Sequence, residues 1–370
     1  MSKILVTGGA GFIGSHLVAA LKRQNHSIRV LDTFVEQVHG AFQHELPSEV
    51  ELVDGDVRDQ ACVEAALDNV EVVFHQAAEV GVGQSMYEIE RYVGANTLGT
   101  ATLLKALVAR RGQIRKLVVA SSMSIYGEGA YRCLECGPVA PSLRPGAQLE
   151  ARDWEMHCPR CQSILEAMPT PETKPLDPAS VYAVTKQDQE QLSIIVGRAY
   201  GIPTVALRYF NVYGSGQALS NPYTGVAAIF SSRLLNGQPP LIFEDGLQSR
   251  DFTHVSDIVQ ANLLAMESEA ANFQAINIGT GRATSVRRIA EILASGLKVQ
   301  IGPSLVGRFR EGDIRHCFAD ISRARRLLGF EPTVRLEDGI PQLLEWVKRQ
   351  RATDGVVKAT EELQMHGLVR

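Results

Sequence analysis

The sequence has no apolar run near the roughly 18–20 residues that a membrane-crossing helix needs. Aromatic side chains are sparse, at 6%, with two tryptophans. Neither sign of charge dominates: 37 Lys and Arg face 41 Asp and Glu, a net charge of -4. No strongly basic face for nucleic acid is therefore expected. The first apolar stretch is broken by glycines and starts a strand, so it does not read as a signal peptide. Cysteine is scarce and uneven. Four of the six lie in two Cys-x-x-Cys pairs, which leaves Cys62 and Cys317 isolated. That pattern is not a secreted disulfide framework, and a cytoplasmic protein is expected.

What is present is a long chain with alternating patterns. The 370 residues, 45% of them hydrophobic, suffice for a large α/β domain with an appended lobe. "KILVTGG", "IRVLD", "VELVDGDV", "VEVVFHQAA" and "IRKLVVASS" are short strand-like runs. Helical spacing follows in "GSHLVAALKRQ", "DQACVEAALD" and "ANTLGTATLLKALVARR". The alternation predicts a Rossmann-like, doubly wound parallel sheet. Regularity breaks from about Gly127 to Pro178, in a stretch rich in Pro, Gly and Cys. The expected layout is a dinucleotide-binding domain at 1–212 with a return segment at about 241–279. An insertion occupies 128–175. A smaller lobe takes 213–240 and 280–350, and a weakly patterned tail, 351–370, is expected to fray.

"TGGAGFIG" places Gly8, Gly11 and Gly14 after the first strand and at the start of the first helix. Gly8 suits a tight turn, Gly11 lets backbone approach a pyrophosphate, and Gly14 allows close helix–strand packing. With Phe12 and Ile13 they form the expected phosphate cradle at a helix N-terminus. The bland reading is an ordinary glycine-rich βα turn. Asp32 ends the second strand, 18 residues after Gly14. A carboxylate there accepts ribose hydroxyls and repels a 2′-phosphate, which favours NAD over NADP. A capping aspartate is the alternative. Asp56 and Val57 follow the third strand, on the adenine side. Ala77 and Ala78 follow the fourth, beneath the cofactor.

"VYAVTK" sets Tyr182 and Lys186 four apart, on one helical face. An ammonium beside a phenol is expected to lower its pKa and make it a usable base. Ser122, at the end of the fifth strand, is placed to hydrogen-bond a substrate hydroxyl or carbonyl.

The paired cysteines are Cys133 with Cys136 and Cys158 with Cys161, separated by 21 residues. Two such knuckles complete a tetrahedral four-thiolate site with no open position, so structural zinc is expected rather than catalytic metal. An iron–sulfur cluster or metal-free thiols are the alternatives. The insertion is read as too polar to bury a core of its own, and as shaping the sugar side of the cleft or a subunit contact.

These motifs, with "SSMSIYG", "LRYFNVYG", "SRDFTHVSDI" and "REGDIRHCFAD", make residues 3–350 resemble the extended short-chain dehydrogenase/reductase superfamily. Its closest branch is the nucleotide-sugar epimerases and dehydratases. The resemblance implies a catalytic triad of Ser122, Tyr182 and Lys186, with Asn96 supporting the lysine at the cofactor. It implies substrate contacts from Ser122, Ser124 and Asn211, an arginine clamp of Arg250 and Arg310, and a ribose contact from Asp313. Cys317 falls where relatives limit pocket volume. Surface ion pairs are the alternative for either arginine. A homodimer through helices around 97–110 and 182–199 is also implied.

Dehydratases of this branch carry two carboxylates where Met123 and Ser124 stand here. Neither residue exchanges protons readily at neutral pH. The resemblance therefore implies an NAD-dependent nucleotide-sugar 4-epimerase working through a transient 4-keto sugar, on UDP- or dTDP-linked substrates such as dTDP-L-rhamnose. A dehydratase or decarboxylase using Glu128 or Glu79 is the alternative. A non-catalytic NAD-sensing or nucleic-acid-binding protein is a third reading, and it leaves the Ser122, Tyr182, Lys186 set unexplained.

Overall fold

The computed structural model describes residues 1–39, 46–223, 225–350 and 352–370. Residues 40–45, Thr224 and Arg351 of the expected domains and tail lie outside the described residues.

The chain opens with strands β1 (Lys3–Thr7), β2 (Ser27–Asp32), β3 (Glu51–Asp54), β4 (Val72–His75) and β5 (Lys116–Ser122). The insertion contributes β6 (Ala130–Cys133), β7 (Gly137–Val139) and β8 (Glu166–Met168). The body resumes with β9 (Thr204–Tyr209) and β10 (Asn211–Tyr213). Short pieces follow as β11 (Leu241–Ile242), β12 (Ser249–Arg250) and β13 (Phe252–His254), then β14 (Gln274–Ile278). Last come β15 (Thr284–Ser285), β16 (Ser304–Leu305) and β17 (His316–Cys317).

Seven strands form one sheet in the order β14-β9-β5-β4-β1-β2-β3, and every neighbouring pair is parallel. β4 and β9 are buried at every residue. Such strands are rich in apolar residues without strict alternation because helices cover both faces of the sheet. On one face Leu17, Val18, Ile258 and Leu328 pack against Ile4, Val118 and Leu207. On the other, Val63, Leu103 and Leu107 pack against Leu5, Val73 and Val119. The winding reverses where β2 and β4 flank β1, and a crevice opens at the carboxyl ends of such strands. A separate lobe core joins helices Val226–Leu235, Val286–Leu297 and Leu336–Val347.

Two expectations are corrected. The insertion does bury a core. β7, β6 and β8 form an antiparallel sheet, and Tyr131, Met156 and Leu165 close over it with Cys133 and Cys158. The tail does not fray into loop. It forms a helix, Val356–Met365, whose Leu363 is buried with Val369 against Phe243. The His366 ring stacks on Tyr87 at 4.5 Å.

Candidate active site

The crevice is a cleft of about 820 Å³ running from Gly8 and Gly11, past Asp32 and Asp56, to Ser122 and Tyr182. That lies within the range of pockets that hold organic ligands, about 300–1,000 Å³.

At one end the chain turns through Gly8, whose φ is +67°. A Cβ there would come within 2.7 Å of the Ala77 nitrogen. A Cβ on Gly14 would run into the Gly8 carbonyl oxygen. Helix Phe12–Arg23 thus starts hard against β1, with Gly11 as a cap that has no side chain. Its first amide groups open toward the cleft wall formed by Gly11, Phe12 and Ile13. Such a terminus attracts anions. Asp32 accepts from the Ala10 amide at 2.9 Å and the Phe34 amide at 3.3 Å. Burial raises its pKa, but His39 at 3.3 Å and these amides outweigh it and hold the carboxyl below its ordinary value. Asp56 is gripped by Arg58 at 2.6 Å, which likewise outweighs burial. Val57, Ala77 and Ala78 complete this wall.

At the other end β5 delivers Ser122, whose hydroxyl accepts from the Ser124 amide at 3.2 Å and hydroxyl at 2.9 Å. Helix Val181–Tyr200 delivers Tyr182 and Lys186, and its Ser180 cap accepts from the Ala183 amide. Both side chains are buried on the cleft wall. Burial raises the Tyr182 phenol, and a hydrogen bond with Ser122 offsets only part of that. Burial pushes Lys186 down to about 7. The expected depression of the phenol by the lysine is therefore not what the structure displays. Lys186 instead donates to Gln189 Oε1 at 2.6 Å. Gln189 bonds the Thr100 hydroxyl at 2.9 Å, and His75 bridges Thr100 and Thr7 at 2.9 and 2.8 Å. Burial, then the nearby Lys186 charge, lower His75 to about 3, so it stays neutral. Sequence reading missed this chain. Its signal was Gln189 standing one helical turn after Lys186.

The remaining expected residues divide. Ser124 and Asn211 are on the wall, and Asn211 Oδ1 is buried with no partner. Asn96 sits in a π-helical turn, Val93–Leu98. It ties Glu79 of the loop after β4 to Thr185, at 2.8 and 2.9 Å. Arg250, Arg310, Asp313 and Cys317 lie off this wall. Arg250 donates to the carbonyls of Ile314 at 2.8 Å and Arg315 at 3.0 Å. Arg310 pairs with Asp313 at 2.8 Å and lies over the Phe243 ring at 4.7 Å. Cys317 is buried with Met123, Tyr126 and Phe210, and burial raises its thiol to about 12.

The four paired cysteines are brought together: their sulfurs all lie within 4.8 Å of one another. Tetrahedral zinc with bonds of about 2.3 Å needs sulfurs about 3.8 Å apart, so this set fits. No residue of the insertion lies on the cleft wall among the described residues.

The glycine turn fits a bound dinucleotide: the backbone passes so close to β4 that only hydrogen is accommodated. Comparison with known proteins supplies the rest. A family model described as "NAD dependent epimerase/dehydratase family" matches residues 4–143 and 160–279. A dTDP-L-rhamnose 4-epimerase of Burkholderia thailandensis is 35% identical over 352 residues, covering 94% of this chain and 95% of that protein. A UDP-glucose 4-epimerase of Mycolicibacterium smegmatis is 32% identical over 356 residues, covering 94% and 99%. Among solved structures, the Thermotoga maritima UDP-glucose 4-epimerase with UDP-glucose superposes with a TM-score of 0.76 at 30% identity, covering 94% of this chain and 99% of that one. The Bacillus cereus UDP-glucuronic acid 4-epimerase with UDP-glucuronic acid and NAD gives 0.76 at 29% identity, covering 94% and 99%. The match spans both the glycine turn and the helix of Tyr182, and the likeness extends over nearly the whole chain; it belongs to the NAD dependent epimerase/dehydratase family.

Proposed function

We propose that this protein is an NAD-dependent nucleotide-sugar 4-epimerase, acting on a dTDP-linked deoxysugar of the dTDP-L-rhamnose type. One observation carries the reaction class. Among the described residues, the stretch of wall that follows β5 is Ser122, Met123 and Ser124, with no carboxylate. Glu79, also on the cleft wall, is tied to Arg91 at 2.8 Å. Glu128 is buried elsewhere, with both oxygens accepting from Tyr131 and the 315–316 backbone. The acid and base that dehydration needs are therefore unsupplied.

NAD, when bound along the glycine turn, supplies the reversible oxidation and reduction of one sugar carbon. The chain's own residues do the proton work. The Tyr182 phenol exchanges the proton of the sugar C4 hydroxyl, and Ser122 orients that oxygen by hydrogen bonding. Lys186 stands one helical turn away on the cleft wall, anchored by Gln189. Gly8, Gly11, Phe12, Ile13 and Gly14 hold the pyrophosphate, and Asp32 the adenosine ribose. The B. thailandensis relative supports the sugar, and the UDP-sugar complexes of solved relatives support the diphosphate.

We also propose one structural zinc held by Cys133, Cys136, Cys158 and Cys161, and a homodimer. The dimer reading is supported by exposed Ile89, Val93 and Leu98 beside exposed Val184 and Ile195 of the neighbouring helix. No helix among the described residues is long and apolar enough to cross a membrane.

The test is a panel of UDP- and dTDP-sugars, read by NMR at C4. Inversion without mass change is expected, and Tyr182→Phe is expected to abolish it while NAD stays bound. Loss of water or carbon dioxide from the sugar would refute the assignment.

A further inference from the structure

The insertion leaves the cleft wall alone, yet it is bound tightly to one stretch of the lobe. Glu128, at 1% exposure, accepts from the Arg315 amide at 2.7 Å and the His316 amide at 3.4 Å. The Tyr131 hydroxyl bridges the same carboxylate at 2.8 Å and the His316 amide at 3.1 Å. The Gly129 amide donates to the His316 carbonyl at 2.9 Å. Arg144 forks onto Glu244 at 2.9 and 2.8 Å and reaches the Asp313 carbonyl at 3.2 Å. Arg315, fully buried, meets Glu244, Asp245 and Glu155 of the insertion. Thr170 pairs with the backbone around Ala319.

This stretch in turn sets the arginines. The Ile314 and Arg315 carbonyls hold the Arg250 guanidinium, and Arg250 pairs in register with Cys317. Asp313 holds Arg310. The Ile314 and Arg315 carbonyls share their peptide planes with the Arg315 and His316 amides that Glu128 and Tyr131 hold, and Arg144 holds the Asp313 carbonyl, so the insertion fixes these groups from behind. A forked guanidinium needs such fixing, because two arginines grip a diphosphate only when both forks are pre-aimed.

We propose that the cysteine-bearing insertion is a positioning module for a nucleoside diphosphate: through Glu128, Tyr131 and Arg144 it sets residues 313–317 and so aims Arg250 and Arg310. The inference rests on the reading of those arginines as the diphosphate clamp. It explains why the insertion lies against the lobe and not over Tyr182. Glu128 and Tyr131 are positioning residues and touch no substrate.

The test uses full-length Tyr131→Phe and Glu128→Gln, titrated with UDP and dTDP by calorimetry and assayed for epimerisation. Both variants are expected to bind the diphosphates roughly tenfold more weakly, the worth of one or two hydrogen bonds, and to raise KM alike. Their kcat and copurified NAD are expected to stay within about twofold of the parent. Tyr131→Phe removes a single hydroxyl and keeps the test readable should Glu128→Gln fold poorly. Unchanged diphosphate affinity in a folded variant of a parent that binds UDP or dTDP overturns the proposal. A parent that binds neither overturns the diphosphate reading itself, and the proposal with it.

Discussion

Gly14 leaves no room for a methyl group, because its Cβ would meet the Gly8 carbonyl oxygen. Gly14→Ala must therefore push the first helix off β1 and spoil the phosphate cradle. Loss of copurified NAD, read by absorbance after denaturation, is the expected outcome. Lys186 carries a different signature. Burial lowers its folded pKa from 10.5 to about 7. Between those values the unfolded chain holds the proton more tightly, so this group's contribution to stability rises with pH across the window and is least favourable below it. Lys186→Met removes that dependence. Its stability relative to the parent is expected to improve as pH falls from about 10 to 7, by on the order of 1–3 kcal/mol in denaturant melts. A flat difference would show that the buried amine does not titrate there.

The elements that sequence left undefined are held by contacts between distant segments. Arg144 and Glu244 are both almost fully buried and paired at 2.8 Å. Removing Arg144 leaves buried Glu244 with Arg315 alone, at 3.1 Å, so the cost falls below the about 3–5 kcal/mol of an isolated buried pair. Arg144→Met is thus expected to lower the thermal midpoint by several degrees. Within the insertion, Cys133→Ser with Cys136→Ser is expected to remove about one zinc per chain by elemental analysis while NAD is retained. The tail helix depends on Leu363, buried against Phe243 and Val369. Leu363→Ala is expected to cost about 2–5 kcal/mol and to speed proteolysis near the C-terminus. The same helix reaches the cleft, since Glu362 accepts from the Tyr223 hydroxyl at 2.6 Å and Tyr223 lines the wall.

For the whole molecule, the exposed apolar stripe of Val93, Leu98 and Ile195 asks for a partner surface. Leu98→Glu with Ile195→Glu is expected to halve the mass found by light scattering. An unchanged mass would place any subunit contact elsewhere. Much of the fold was legible because its signals are local. Strand runs such as "KLVVASS" have an apolar centre, glycines stand where the turn has no space, and Tyr182 and Lys186 share a helix face. The setting of the two arginines was less legible. "SRDF" and "REGD" mark Arg250 and Arg310, but nothing in either motif says that Ile314 and Arg315 carbonyls hold the first, or that Phe243 underlies the second.

The amino-acid sequence by itself determined the sheet, the phosphate turn, the Ser122, Tyr182 and Lys186 set and the four clustered thiols, since each depends on residues close in the chain or on a repeating period. Only the tertiary structure decided that the tail is a helix against Tyr87, that Lys186 leans on Gln189, which in turn meets His75, and that the cysteine insertion is bolted to residues 313–320 and not to the cleft. Those outcomes turn on buried charges and hydrogen bonds between segments tens to hundreds of residues apart. Their strength comes from the desolvated setting that folding creates, which no local pattern contains.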